Sequence, residues 1–152
     1  MAGFTTAMPT SFKVEILKGT HNFTASTGNT FKFALAKATA SVVGTYGAAT
    51  TNYSNLTGNA DELPATGGYS TGGNTLTSIT PVADGTTAVC DFNDSTWSSA
   101  TFTTSGGIIY NNSASNAACG VFSFGGDQTV SAGNFTIQFP AAVAATAILR
   151  IA

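Results

Sequence analysis

Phe135-Thr136-Ile137-Gln138-Phe139-Pro140 alternates apolar and polar side chains at every step, until a proline with no N–H for a ladder stops the run. A period of two places three large apolar groups on one face of a strand and neutral polar groups on the other. Working back from this stretch, strand-like runs are predicted at 75–80, 86–92, 96–104, 107–111, 117–124, 128–131 and 135–139, with a last one at 145–151. Turn-forming residues separate most of them, at 81–85, 93–95, 105–107, 111–116, 125–127 and 132–134. Short strands every roughly 8–12 residues are the signature of a sandwich or barrel. The expected fold is therefore all-β: an antiparallel β-sandwich or jelly-roll-like domain with a short N-terminal helix or arm. Within 96–104, Trp97 and Phe102 have opposite parity, so a bulge near Ser98-Ser99-Ala100 is needed to return both to the core. The run Ala147-Ile148-Leu149-Arg150-Ile151 is apolar on both faces except at Arg150, which predicts a central strand or one covered by a partner.

Further upstream, Phe31, Phe33 and Leu35 share one face of a strand at 30–36, with Lys32 and Ala34 on the other. Residues 10–18 fit two templates. Phe12, Val14 and Ile16 alternate with Lys13 and Glu15 as in a strand. Phe12, Ile16 and Leu17 also share a helical face, with Thr10 or Ser11 as cap and Gly19 as stop. Residues 1–10 read as an extended arm in which Phe4 and Met8 offer something to bury. Residues 11–152 form a single domain carrying a long loop at 37–74, with a short helical turn at 55–63 and tight turning at 67–73.

Composition narrows the function. Charged residues make up 8% of the 152, against about 25% in ordinary soluble domains, and the net charge is −2. Thr, Ser, Asn, Gly and Ala replace them. Such side chains meet a protein neighbour at little desolvation cost, and charge is depleted at interface cores, so the composition suits permanent neighbours. Five Lys and Arg residues make no basic track for a phosphate backbone and no polybasic membrane anchor, so neither nucleic acid nor a membrane is an expected partner. The first nine residues carry no apolar leader core, which predicts synthesis in a cytoplasm, where Cys90 and Cys119 in their apolar runs read as two buried thiols rather than a disulfide.

Catalytic chemistry finds little supply. His21 is the only histidine and reads as a packing or loop residue. Asp91 and Asp94 lie close enough across Asn93 to pair, or with it to hold calcium, but Asp-Phe-Asn-Asp-Ser is ordinary turn chemistry in which carboxylates cap backbone N–H groups. Gly67 to Gly73 lacks the Lys-Ser/Thr of a phosphate loop, and no cysteine spacing suggests zinc. No catalytic, cofactor or metal residue is assigned. Tyr46, Tyr53, Tyr69 and Tyr110 fall in or beside loops, where aromatic rings serve either sugars or protein interfaces. Phe4, Met8, Tyr46, Tyr53 and Tyr69 are the candidate interface residues.

Several segments taken together carry a resemblance: 11–23 (Ser-Phe-Lys-Val-Glu-Ile-Leu-Lys-Gly-Thr-His-Asn-Phe), Gly68-Tyr69-Ser70-Thr71-Gly72-Gly73, Ile109-Tyr110-Asn111, Phe124-Gly125-Gly126-Asp127 and the ending 135–140. The pattern resembles a family of small structural proteins from the virions of tailed bacteriophages, and it departs from that family around 45–64, where the loop is longer. The resemblance implies a helix at 11–18, a β-rich body and a place in the particle as a head decoration, tail or fibre-associated protein. The expected function is a non-enzymatic virion component, a homo-oligomer assembled in the host cytoplasm and bound to other capsid or tail proteins. The alternative is a carbohydrate-binding module that contacts a host glycan.

Overall fold

The computed structural model describes residues 2–152; Met1, the first residue of the expected arm, lies outside the described residues. The strand expected at 30–36 is β2 (Phe31–Leu35), and it pairs antiparallel with the second half of β7 (Ser95–Asn111), from Phe31 opposite Asn111 to Leu35 opposite Gly107. On its other side lies β4 (Asn74–Thr75), and beyond β7 runs β8 (Ala117–Ile137), giving a four-stranded sheet in the order β4-β2-β7-β8.

Both faces of this sheet are buried along β2 and the adjoining halves of β7 and β8. Phe31, Phe33, Leu35, Ile109 and Cys119 face α1 (Thr10–Leu17) and a three-stranded sheet ordered β5-β6-β9, made of β5 (Ser78–Asp84), β6 (Thr87–Phe92) and β9 (Leu149–Ile151). Aromatic rings fill the layer between: Phe23 stacks on Phe31 at 4.3 Å between centroids, and Phe92 lies 5.6 Å from Phe31. Ala34, Ile108, Tyr110, Ala118 and Val121 face the opposite way. They are covered by the 37–74 segment, which carries a short 3₁₀ turn at Thr39–Ser41, β3 (Thr45–Tyr46) and α2 (Ser54–Gly58). The long loop is thus a folded lid on the second face. The N-terminal arm docks on its own chain: β1 (Gly3–Phe4) pairs in parallel with β3, and Ala7 exchanges two main-chain hydrogen bonds with Val121. This all-β, sandwich-like architecture with a short N-terminal helix is the expected one.

The structure decides between helix and strand at 10–18 and departs from the expected turns at several points. Residues 10–17 are helix, because Gly19 at φ +70° lets the N–H groups of Lys18, Gly19 and Thr20 turn back onto the carbonyls of Val14, Ile16 and Glu15. The expected turn at 81–85 shrinks to the neighbourhood of Gly85, φ +60°, and Pro81 lies within β5, tolerated because β5 is an edge strand. The expected turn at 105–107 is continuous strand. A Cβ on Gly107 would come 2.4 Å from the Phe33 ring, so this glycine serves close approach of β2 to β7.

The expected turns at 125–127 and 132–134 are bulges in one long strand. Pairing passes from Thr104 opposite Gln128 to Gly106 opposite Ser123, so Phe124 to Asp127 bow out opposite Ser105. Near the far end, one extra residue on β7 around Ser99 (φ +52°) is offset by one on β8 around Ala132 (φ +46°), and Trp97 returns to register opposite Phe135. The bulge expected at 98–100 is there: Trp97 is buried, and Phe102 is half-buried and packs against the same core. The final run is not central: β9 is an edge strand, and Ile151 is 57% exposed.

Candidate functional site

His21, read from the sequence as a packing residue, is a packing residue with three partners that the sequence did not reveal. The turn at Gly19 brings the ring back beneath α1, where Nε2 lies 2.8 Å from Oε2 of Glu15. Its other nitrogen, Nδ1, lies 2.9 Å from the Asn111 side-chain amide. That amide also donates to Oδ1 of Asn29 at 2.9 Å, while Oδ1 of Asn111 accepts the N–H groups of Ser113 and Ala114. The network fixes the amide orientation, so Nδ1 accepts and the ring hydrogen sits on Nε2, donated to Glu15. The His21 side chain is fully buried and that of Glu15 is 26% exposed.

Cys119 is the third partner, with Sγ 3.8 Å from Nδ1. Ile109 pairs with Gly120 and Tyr110 with Ala118, so Cys119 has no opposite number; it is a bulge residue that turns its thiol toward Phe12 and His21. Cysteine, histidine and acid in line suggest nucleophilic chemistry, and the site opens on an apolar cavity of about 310 Å³ lined by Met8, Phe12, Phe23, Cys90 and Cys119. The electrostatics run against it. Burial pushes the Cys119 thiol far above its ordinary value, and the Glu15 charge adds to the shift. Burial, then the Asp91 charge, pushes Cys90 up to about 12. The Nδ1 lone pair is occupied by Asn111, and the thiol donates to the Ala117 carbonyl at 3.5 Å. In this arrangement the cluster clamps α1 to the β7–β8 hairpin. Both cysteines are free, buried thiols, as expected.

The acidic residues act as backbone and phenol acceptors. Asp91 takes the N–H groups of Phe92 at 2.9 Å and Ile148 at 3.3 Å, and Asp94 takes that of Phe139 at 2.9 Å. Together they peg the 138–148 segment to the β6–β7 turn; the carboxylates cap backbone N–H groups as read from the sequence, but two of the three bonds are long-range and not within the turn. Asp61 and Glu62, which drew no attention in the sequence, organise the lid. Asp61 accepts from the N–H groups of Val43 and Gly44 and from the Tyr46 hydroxyl; Glu62 accepts from the hydroxyls of Tyr53 and Tyr69 and the N–H of Gly72. Burial, reinforced by these carboxylates, raises the ionisation of Tyr46, Tyr53 and Tyr69 far above the usual phenol range.

The candidate interface residues are therefore placed differently from the sequence reading. Tyr46 and Tyr69 are 1% and 3% exposed, so their rings are committed inside the chain. Tyr53 is half-buried and stacks on the buried Tyr110 at 4.4 Å. Phe4 stacks on Tyr46 at 4.6 Å, and Met8 packs on the Phe-rich core.

The aromatic residues that do reach the surface lie elsewhere. Phe122, Phe124, Phe135, Ile137 and Phe139 are each half-buried and line an open groove of about 590 Å³ along β8, rimmed by Ser123, Gln128, Thr136 and Gln138. The other face of the same ribbon is a neutral hydroxyl surface, with Thr96 bonded to Thr136 at 2.8 Å and Thr103 to Thr129 at 2.9 Å. No Asp, Glu, Lys or Arg occurs from residue 128 to residue 149. The alternation at 135–139 foretold this face, but not that it would stay half-open. Among the described residues no three His, Cys, Asp or Glu side chains gather as a metal-binding group, and no helix is long and apolar enough to cross a membrane.

No protein-family model, curated protein or solved structure matches this chain.

Proposed function

We propose that this chain is a structural subunit of a tailed-bacteriophage particle, non-enzymatic and held in place by contacts with other virion proteins. The carrying observation is the β7–β8 ribbon, whose two faces are a half-open aromatic groove and a threonine surface, with no charge from residue 128 to 149. Exposed aromatic area with a neutral polar rim has the composition of an interface, and little charge has to be desolvated when it is covered. The resemblance carried by 11–23, 68–73 and 124–127 supplies the particle. The Cys119 thiol and the Asp61 and Glu62 carboxylates are already bonded within the fold, which supports a scaffold role.

The carbohydrate reading loses its main support, because three of its four loop tyrosines are buried. Purified particles of the phage that carries this gene test the proposal. A band at 15.3 kDa that peptide mass spectrometry assigns to this chain is expected, and its absence from the particles overturns the reading.

A further inference from the structure

The edge of β8 is closed near its start and open afterwards. Ala7 pairs with Val121, and the Thr6 hydroxyl accepts the N–H of Ser123, so the N-terminal arm covers the edge that far. Among the described residues, 128–137 bond through the main chain only to β7. The neighbouring strand differs. In β7 the N–H of Thr101 donates to the Gly67 carbonyl and the Thr96 carbonyl accepts from Asn74, so the 64–74 segment closes that side.

Monomeric proteins blunt an open edge with lysine, proline, bulges or a covering segment. Here 128–137 holds no charge and no proline. Its one bulge, near Ala132, bends the strand without adding charge, and nearby Asp127 is turned onto the N–H and hydroxyl of Thr39.

We infer that the free β8 edge at 128–137 pairs antiparallel with the same edge of a second copy, joining two four-stranded sheets about a two-fold axis. A strand paired with itself about a two-fold axis sets only the residues nearest the axis beside their own copies, so any charge there would meet a like charge. The uncharged run from 128 to 149 meets that requirement. Two-fold pairing also consumes both open edges at once, whereas head-to-tail addition leaves one open and continues into a fibre. It joins the half-open apolar faces that Val130, Phe135 and Ile137 form on the two copies. The pairing is independent of the particle reading: a dimer in solution stands even if the chain is missing from virions, and a virion band stands even if the chain is monomeric.

Sedimentation equilibrium of the purified full chain, together with hydrogen exchange at high and low concentration, tests it. The expected mass is twice 15.3 kDa, with backbone amides in 128–137 protected more strongly at high concentration. The double variant Ser131→Lys/Thr136→Lys, which places charge on two exposed positions, should weaken association at least tenfold, while Thr57→Lys on α2 should leave it unchanged. A monomer at every concentration, a mass of three or more chains, or a dimer without protection in 128–137 would overturn the inference. So would a dimer that tolerates both lysines, or protection that arises only when another virion protein is added, which would assign the edge to that protein's strand.

Discussion

The Tyr46 hydroxyl donates to Oδ2 of Asp61 at 2.7 Å, inside the lid that covers the second face of the central sheet. Asp61 is 1% exposed and, among the described residues, no cation pairs with it; its donors include this phenol and the N–H groups of Val43 and Gly44. The carboxylate ties the 43–46 stretch to the chain that follows α2. Without it, buried donors are left unpaired, at about 1–3 kcal/mol each.

Asp61→Ala should therefore lose about 3 kcal/mol, since such losses are not additive. For a domain of this size that lowers the thermal midpoint by about 6–12 °C. Tyr46→Phe removes one donor and should cost about 1–2 kcal/mol. Circular dichroism melts check both, and an Asp61→Ala melt within a degree of the native one would contradict this account of the lid.

Asn111 is the hub of the clamp between α1 and the β7–β8 hairpin. Its side chain is fully buried and bonds His21, Asn29 and the N–H groups of Ser113 and Ala114. Asn111→Ala should cost about 3 kcal/mol. Asn111→Asp should cost at least as much, because it replaces the donor facing Nδ1 with an acceptor and buries a charge. Chemical denaturation midpoints measure both changes. Near-native stability for Asn111→Asp would mean that the ring hydrogen sits on Nδ1.

Strand periodicity was legible wherever large apolar residues alternate with smaller or polar ones, as in 31–35 and 135–139. It misled where glycine carries two meanings. Gly106-Gly107 and Gly125-Gly126 look alike in sequence. The first pair allows close approach of β2 and of Phe4, and the second absorbs surplus residues in a bulge, as the long pairing of β7 with β8 decides. The clamp was illegible for another reason: Glu15 and His21 are six residues apart, but Asn111 and Cys119 lie 90 and 98 residues from His21. No local pattern encodes such a meeting. Loop tyrosines were read as exposed because loops lie on surfaces, yet a 38-residue segment can bury a core of its own once Asp61 and Glu62 satisfy its phenols and turns.

Asp91 gives a pH dependence whose sign can be stated. Burial raises its ionisation above the ordinary aspartate value, more than its bonds to Phe92 and Ile148 lower it. Between the ordinary and the raised value, the folded state holds a proton that the unfolded state has released. Stability from this group is thus full below the ordinary aspartate range and falls as pH rises through the raised value. Asp91→Asn should remove that fall, so the stability of the variant relative to the native chain increases from acid toward neutral pH. Melts from pH 3 to pH 7 measure the difference, and two curves that stay parallel would show that the group titrates normally.

The thiols should be inert while the chain is folded. Cys90 is 6% exposed with its ionisation pushed up to about 12, and Cys119 is 8% exposed and raised further, so at pH 8 almost no thiolate exists at either position. Thiolate is the reactive species, and a reagent must also pass the Phe-lined wall of the cavity to reach it. A colorimetric disulfide reagent should therefore report almost no thiol over an hour in buffer and both thiols promptly in denaturant. Rapid labelling of Cys119 alone in the native chain would mean that the His21 network activates it, and would reopen the nucleophilic reading of the Glu15–His21–Cys119 line. Cys119→Ala separates the cases, since it should abolish any such labelling while leaving the Glu15–His21–Asn111 bonds in place.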